Sequence, residues 1–148
     1  SLLTFKNAPP TVREVWLSTA QFADREYMVY QDERMTYGEA HELVRRIAGW
    51  LVRQGVQPRD RVTIAMRNYP EWMLIYWACA CVGAAAVGMN AWWVPEEMAT
   101  GLRDAEPKVL FCDEERLERL FQRPDAIGST VVVGVRSEPR EGVIPWSE

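Results

Sequence analysis

Apolar positions in the first part of the chain recur with the period of a helix. In residues 36–54 apolar side chains fall three or four positions apart, which predicts an amphipathic helix. Thr36 and Glu39 form a capping box at its start, and Gly55 supplies a left-handed end. The same spacing predicts a first helix over residues 11–22.

Short runs of Val, Ile and Ala in the second part of the chain predict buried strands. Helical segments separate four such runs, which are residues 61–66, 84–89, 109–112 and 130–135. Buried strands that alternate with helices form parallel sheets. Two shorter strand-like segments, residues 26–31 and 34–37, predict a β-hairpin before them. We therefore predict a three-layer α/β fold, with a mostly parallel sheet, helices on both faces and a preceding short β-hairpin.

The last residues of the chain show neither period. Residues 136–148 contain charged residues and prolines without an apolar repeat, which predicts a linker or a truncated end. Residues 1–135 are long enough to bury a substantial core. We expect them to form one α/β domain.

An uncharged run over residues 72–94 is long enough to be tested as a membrane span. Gly83 and Gly88 divide it into a helix-length piece and a strand-length piece, and Asn90 lies within it. We therefore expect a buried helix followed by a buried strand and no membrane span. A membrane-associated protein is the weakest of the alternatives.

Charge and cysteine content exclude several classes of function. The net charge is −4, and both signs are spread along the chain, so neither nucleic acid nor an anionic membrane is an expected partner. The three cysteines lack Cys-x-x-Cys spacing and are expected to be free thiols in the cytoplasm. The single histidine, His41, is predicted on the polar surface of a helix, so neither a zinc site nor a Ser-His-Asp triad is expected.

The candidate binding residues follow two of the predicted parallel strands, where sheets of this kind bind ligands. Asn68 follows the first strand, either as a ligand contact or, as we favour, as the cap of the next helix. Asn90, Trp92 and Trp93 follow the second strand. The two tryptophans either cover the core and meet another domain, or line an apolar channel or stack on an adenine ring. Glycine-rich phosphate loops are absent from the sequence, which disfavours a Rossmann nucleotide site.

Five segments, in order and with matching spacing, resemble the start of the AMP-binding, adenylate-forming superfamily in its acyl-CoA synthetase branch. They are Thr36-Tyr37-Gly38-Glu39-Ala40, Leu51-Val52-Arg53-Gln54-Gly55-Val56-Gln57-Pro58-Arg59-Asp60-Arg61-Val62, Asn68-Tyr69-Pro70-Glu71, Gly83-Ala84-Ala85-Ala86-Val87-Gly88-Met89-Asn90 and Lys108-Val109-Leu110. The resemblance covers about residues 11–135. In some members an arginine two residues after the position of Asn90 helps to hold CoA phosphates; Trp92 stands there in this chain, which favours an apolar role.

The resemblance implies an acid–thiol ligase as the parent protein. Such enzymes use ATP and magnesium to convert a carboxylic acid, here expected to be fatty or aromatic, into an acyl-adenylate, and then transfer the acyl group to CoA. This sequence lacks the family's Thr- and Gly-rich phosphate loop, its adenine segment and its C-terminal domain. We therefore expect no catalytic residue, no metal site and no bound cofactor in this chain. The chain alone is predicted to be inactive, with the remainder of the synthetase as its partner.

A second hypothesis stays open beside the enzyme fragment. The chain can instead be a self-contained α/β module that binds an acyl chain or a protein through Trp92 and Trp93. If it is a fragment, it should expose apolar surface that other parts of the parent cover, and such surface favours self-association.

Overall fold

Residues 5–147 are described in a computed structural model. Five helices and seven strands follow one another in these residues. In chain order they are α1 Val12–Ser18, β1 Glu26–Tyr30, β2 Glu33–Thr36, α2 Tyr37–Arg53, β3 Arg61–Ala65, α3 Pro70–Val82, β4 Ala85–Gly88, α4 Pro95–Ala105, β5 Val109–Asp113, α5 Glu114–Leu120, β6 Val131–Val135 and β7 Ile144–Pro145. Short 3₁₀ turns occur at Thr19–Phe22 and Pro124–Ala126.

The central element is a five-stranded parallel sheet in the order β4-β3-β5-β6-β7. Successive side chains of a strand point to opposite faces, so each strand contributes to two cores. Ile64 and Phe111 pack on one face with residues of α2 and α3, while Leu110 and Val132 pack on the other with residues of α4 and α5. The predicted three-layer fold is confirmed.

The β1–β2 hairpin forms a separate antiparallel sheet before α2, as predicted. Arg136, which follows β6, ties this hairpin to the parallel sheet. Its guanidinium donates to both carboxylate oxygens of Glu33 at 2.8 Å and to those of Glu71 at 3.0 and 3.1 Å. Helix α2 begins with the predicted capping box of Thr36 and Glu39.

The uncharged run folds as α3, β4 and the loop after them, which confirms the expected helix and strand. The expected burial of the strand is wrong, because β4 lies at the edge of the sheet with Ala85 and Gly88 exposed. Gly83 ends α3 in the left-handed conformation, with φ of 76°, where a side chain would be strained. Among residues 5–147, none of the helices combines the length and the apolar character needed to cross a membrane.

The C-terminal tail differs from the expected aperiodic linker. Strand β7 lies within it and pairs in parallel with β6, and the ring of Trp146 contacts that of Phe111 at a centroid distance of 6.0 Å. A strand of two residues is too short to produce a readable apolar period. The predicted linker thus contains an edge strand, although the domain boundary at residue 135 stays a prediction.

The prediction that His41 is a plain surface residue is wrong. Its ring stacks on buried Trp16 at a centroid distance of 4.1 Å, and Trp16 stacks in turn on Trp77 at 5.0 Å. Nε2 of His41 lies 2.9 Å from the hydroxyl oxygen of Thr19. The helical period of α2 could not reveal this environment, because α1 and the turn after it cover this face of the helix only in the folded chain.

Partial burial of His41 makes stability depend on pH. It lowers the pKa of the ring from the usual 6.5 because the charged form loses hydration. Between the lowered pKa and 6.5 the unfolded chain binds more protons than the folded chain, so stability falls as the pH falls through this range. We expect urea unfolding to show a smaller loss of stability on acidification through this range in His41→Gln than in the unsubstituted chain. Equal losses would contradict the buried environment.

Candidate functional site

The order of the strands defines a switch point in the sheet. The chain leaves β3 towards β4 on one side and leaves β5 towards β6 on the other. Parallel sheets bind ligands at such a point, beyond the carboxyl ends of the strands. The loops that follow β3, β4 and β5 therefore form the candidate site, and all four predicted site residues lie in the first two of these loops.

A buried ion pair lies at the carboxyl end of β5. Asp113 is 3% exposed and Arg116 is 1% exposed, and Nη1 of the arginine donates to both carboxylate oxygens at 3.2 and 3.1 Å. Asp113 also caps α5 by accepting from the backbone N–H of Arg116 at 3.1 Å. Its second oxygen accepts from the backbone N–H of Arg67 at 2.9 Å, which fixes the start of the loop after β3.

The same arginine reaches the loop after β4. Arg116 donates two hydrogen bonds to the carbonyl oxygen of Ala91, one from Nε at 2.9 Å and one from Nη2. One helical turn further on, Nη1 of Arg119 donates to the carbonyl oxygens of Ala91 at 3.1 Å and Trp93 at 3.0 Å. We call Asp113, Arg116 and Arg119 the loop clamp, because together they connect the loops that follow β3, β4 and β5.

The loop clamp leaves Trp92 facing solvent. Its side chain is 68% exposed, and the guanidinium carbon of Arg67 lies 4.4 Å from the ring centroid, a cation–π contact. Arg67 also pairs with Glu115 at 3.4 Å. Trp92 and Arg67 therefore present a flat aromatic face and a positive charge together at the carboxyl edge of the sheet.

Glu115 lies among the three arginines of this edge. It pairs with Arg67, with Arg116 at 2.9 Å and with Arg119. Partial desolvation opposes ionisation, but the charges of the arginines outweigh it and hold the pKa of Glu115 below its usual value. The three guanidinium groups of the edge thus face the carboxylates of Asp113 and Glu115, and a third carboxylate, that of Glu97, accepts from the backbone N–H of Val94 in the loop after β4.

Trp93 points to a different place from its neighbour. Its half-buried ring packs on the core formed by α4 and α5, where Gly101 leaves room for it. A Cβ atom at position 101 would lie 2.6 Å from Cζ3 of Trp93. Trp93 therefore covers the core, and Trp92 is the tryptophan of this pair that faces solvent.

The two candidate asparagines have separate environments. Asn90 is exposed, and its Oδ1 accepts from the backbone N–H of Trp92 at 2.9 Å, which shapes the loop. Asn68 is exposed and lines an open groove of about 410 Å³ beside β1, together with Tyr69 and Trp72. The favoured interpretation of Asn68 as a helix cap is wrong. The N-cap of α3 is Tyr69, which makes no side-chain capping bond, and Pro70 begins the helix.

Sequence reasoning did not identify the loop clamp. It marked the loop of Arg67 and Asn68 as a candidate but assigned a role there only to Asn68. The position of Asp113 after a strand predicts a helix cap. Its buried ion pair with Arg116 could not be predicted, because a charged side chain is normally expected at the surface. The available signal was the spacing of Asp113, Arg116 and Arg119, because residues three apart lie on one helical face.

The described part of the chain contains no group of side chains arranged as magnesium ligands. Among residues 5–147, no three His, Cys, Asp or Glu side chains are grouped as metal ligands. The carboxylates of the edge are already paired with arginines. The side chains of this edge therefore do not fit a magnesium ion.

The fold and its edge place the protein among parallel α/β proteins that bind ligands at a switch point of the sheet. The sequence model of the AMP-binding enzyme family matches residues 15–148. The chain belongs to this family, as the five sequence segments indicated.

Curated relatives include several CoA ligases. Over 112 residues the chain is 29% identical to 4-hydroxybutyrate–CoA ligase 2 of Metallosphaera sedula, covering 76% of this chain and 20% of the relative. Over 86 residues it is 40% identical to acetyl-coenzyme A synthetase of Sinorhizobium fredii, covering 57% of this chain and 13% of the relative. The chain therefore spans only a minor part of the length of these relatives.

Solved structures show the same fold. An anthranilate CoA ligase in complex with anthranoyl-AMP matches with a TM-score of 0.88 at 20% identity, covering 96% of this chain and 28% of that one. A putative long-chain-fatty-acid CoA ligase of Rhodopseudomonas palustris matches with a TM-score of 0.85 at 24% identity, covering 93% and 35%. At these identities the likeness concerns the fold.

The contact between Trp93 and Gly101 can be tested with a matched pair of glycine variants. Gly101→Ala should destabilise the chain by about 1–3 kcal/mol, because the added methyl group displaces the Trp93 ring. Gly49→Ala, within α2, should stabilise it by about 0.5–1 kcal/mol, since the nearest atom is Nη1 of Arg53 at 3.5 Å. Urea unfolding measures both free energies. A stabilising Gly101→Ala would contradict the packing of Trp93.

Proposed function

We propose that this chain is the N-terminal α/β portion of an ATP-dependent acyl-CoA synthetase, the class that converts a carboxylic acid into an acyl-adenylate and then into an acyl-CoA. The observation that carries the proposal is the family match over residues 15–148. The CoA ligases among its relatives support the choice of this branch. The acids in their names differ, so the proposal stops at the class of carboxylic acids.

In this proposal the chain supplies scaffold and one wall of a binding channel. Adenylate formation requires groups that stabilise charge on the transferring phosphorus and on the leaving pyrophosphate. The sequence contains no phosphate-loop motif, and the charged groups of the carboxyl edge are engaged with one another. We infer that the remainder of the parent protein binds ATP and magnesium, and that the 148-residue chain alone is inactive.

The carboxyl edge is the proposed contact with substrate or CoA. The exposed side chains of this edge include Asn68, Asn90 and Trp92. Trp93 supports the loop by packing on the core. The half-exposed guanidinium of Arg67 beside Trp92 suits an anionic ligand such as CoA. The proposed location of the parent, the cytoplasm, is where ATP and CoA are available to such an enzyme.

A binding module without enzymatic activity is the second candidate. It is favoured by a groove of about 400 Å³ between α2 and β7, lined by Trp50, Phe111 and Trp146 and bordered by Arg45 and Arg53. Apolar walls with a few charged groups at the rim are typical of small-molecule sites. A fatty acid, with an apolar chain and a carboxylate, has the chemistry that such a groove accepts.

ATP–pyrophosphate exchange with a panel of fatty and aromatic acids separates the two candidates. We expect acid-dependent exchange in the protein encoded by the complete reading frame and none in the 148-residue chain, because the phosphate-binding groups lie outside it. Sedimentation of the chain at tens of micromolar separately tests the expected self-association. Dimers or larger species would support it, and a monomer would contradict it. ATP–pyrophosphate exchange by the chain alone would contradict the proposal that the remainder of the parent binds ATP. Exchange by neither protein would favour the binding module.

A further inference from the structure

We propose that Arg116 and Arg119 are positioning residues for the binding of CoA, the acyl acceptor of the proposed reaction. By holding the backbone of the loop after β4, they fix Trp92 and Arg67 as one stacked pair that contacts the anionic part of CoA. This inference rests on the proposed function and goes beyond it, because it assigns a role to two arginines that lie behind the ligand-facing surface.

Besides the two arginines, the loop is held by the Trp93 ring, which packs on the core, and by the backbone N–H of Val94, which donates to Glu97 at 3.0 Å. Within it, Trp92 donates its backbone N–H to Asn90, and the backbone N–H of Trp93 donates to the carbonyl oxygen of Asn90 at 3.2 Å. Both bonds are local and shape the turn without attaching it to the sheet. The carbonyl oxygens of Ala91 and Trp93 are attached to α5 by the four hydrogen bonds from Arg116 and Arg119. These bonds connect the loop to α5, the helix that follows the strand bordering the switch point.

The stacked pair has the chemistry to receive an anionic ligand with an aromatic group. Trp92 offers an exposed aromatic face, and Arg67 lies on it with a side chain that is 43% exposed. A guanidinium group binds phosphate through directed hydrogen bonds, and a tryptophan ring stacks on planar bases. CoA and ATP both combine phosphates with an adenine base, whereas the acyl chain of a fatty acid offers neither; the proposal assigns the pair to CoA, and separate measurements of the KM for CoA and of ATP–pyrophosphate exchange distinguish the two ligands.

The backbone attachment predicts which step of the reaction depends on the clamp. A displaced loop would move Trp92 away from Arg67, which the loop after β3 holds, and would disrupt the stacked pair, but it would leave the binding of ATP to the rest of the parent unchanged. Loss of the clamp should therefore raise the KM for CoA and leave adenylate formation close to normal.

Arg119 is the better residue to substitute. Removing Arg116 leaves the Asp113 carboxylate buried without its partner and risks unfolding the chain. Arg119 is 23% exposed, and its carboxylate partner, Glu115, is 41% exposed and keeps two other arginines. Arg119→Met thus removes the two bonds to the loop while retaining much of the side chain. Arg123→Met is the matched control, because Arg123 is 33% exposed and pairs with Asp125 on the surface.

Hydrogen exchange and kinetics test the proposal together in the parent protein encoded by the complete reading frame. In Arg119→Met we expect amide exchange of residues 90–94 to accelerate about tenfold and the KM for CoA to rise about tenfold, as loss of positioning does. ATP–pyrophosphate exchange should change less than twofold. Arg119→Lys, which can still donate to one carbonyl, should recover part of both effects, and Arg123→Met should show neither.

Each readout has an outcome that overturns the proposal. Unchanged exchange of residues 90–94 in Arg119→Met would show that Arg119 does not hold the loop. Faster hydrogen exchange of residues 90–94 with an unchanged KM for CoA would show that the loop does not position the acceptor. A parent without ATP–pyrophosphate exchange would contradict the proposed function instead, and the hydrogen-exchange result would still decide whether the clamp holds the loop.

Discussion

The ion pair between Asp113 and Arg116 is the interaction on which the carboxyl edge depends. Both side chains are almost fully buried, and each charge gives up its hydration for the other. The loss is offset only because nearly every polar atom has a partner: the carboxylate accepts from Arg116 and from the backbone of Arg67, and the guanidinium also donates to the backbone of Ala91. Because these partners include backbone groups of the loops after β3 and β4, the ion pair and the positions of the two loops depend on each other.

This requirement links local chemistry to the organisation of the sheet. The strands need only burial and parallel pairing, which Val, Ile, Leu and Ala side chains provide on both faces. The loops beyond the strands have no such core, and the buried pair and Arg119 give them a shared anchor. The two adjacent tryptophans accordingly differ in role. Trp93 fills the space above Gly101, and Trp92 is free to face a ligand beside Arg67.

The fold was predictable from the sequence because its signals are periodic. The apolar stripe and capping box of α2, and the short apolar runs of β3 to β6, are properties of neighbouring residues. The errors arose where tertiary contacts decide. His41 is covered by α1, which no pattern within α2 records, and Asn68 lies one residue before the true cap because Pro70 fixes the start of α3. The candidate loops were found from strand ends, whereas the arginines that hold them were missed because buried charge is rare.

A double-mutant cycle on Asp113 and Arg116 tests the central claim most directly. Asp113→Asn retains a capping side chain and removes the charge, and Arg116→Met removes the partner; urea unfolding of both single variants and the double variant gives their coupling. Arg116→Met should cost about 3–5 kcal/mol, because it leaves the buried Asp113 carboxylate without its ion partner. Asp113→Asn should cost less, because Arg116 still pairs with Glu115 at 2.9 Å. The double change should cost less than the sum by about 2–3 kcal/mol. Costs that add within about 0.5 kcal/mol would contradict the account, since the pair would then not be what holds the edge together.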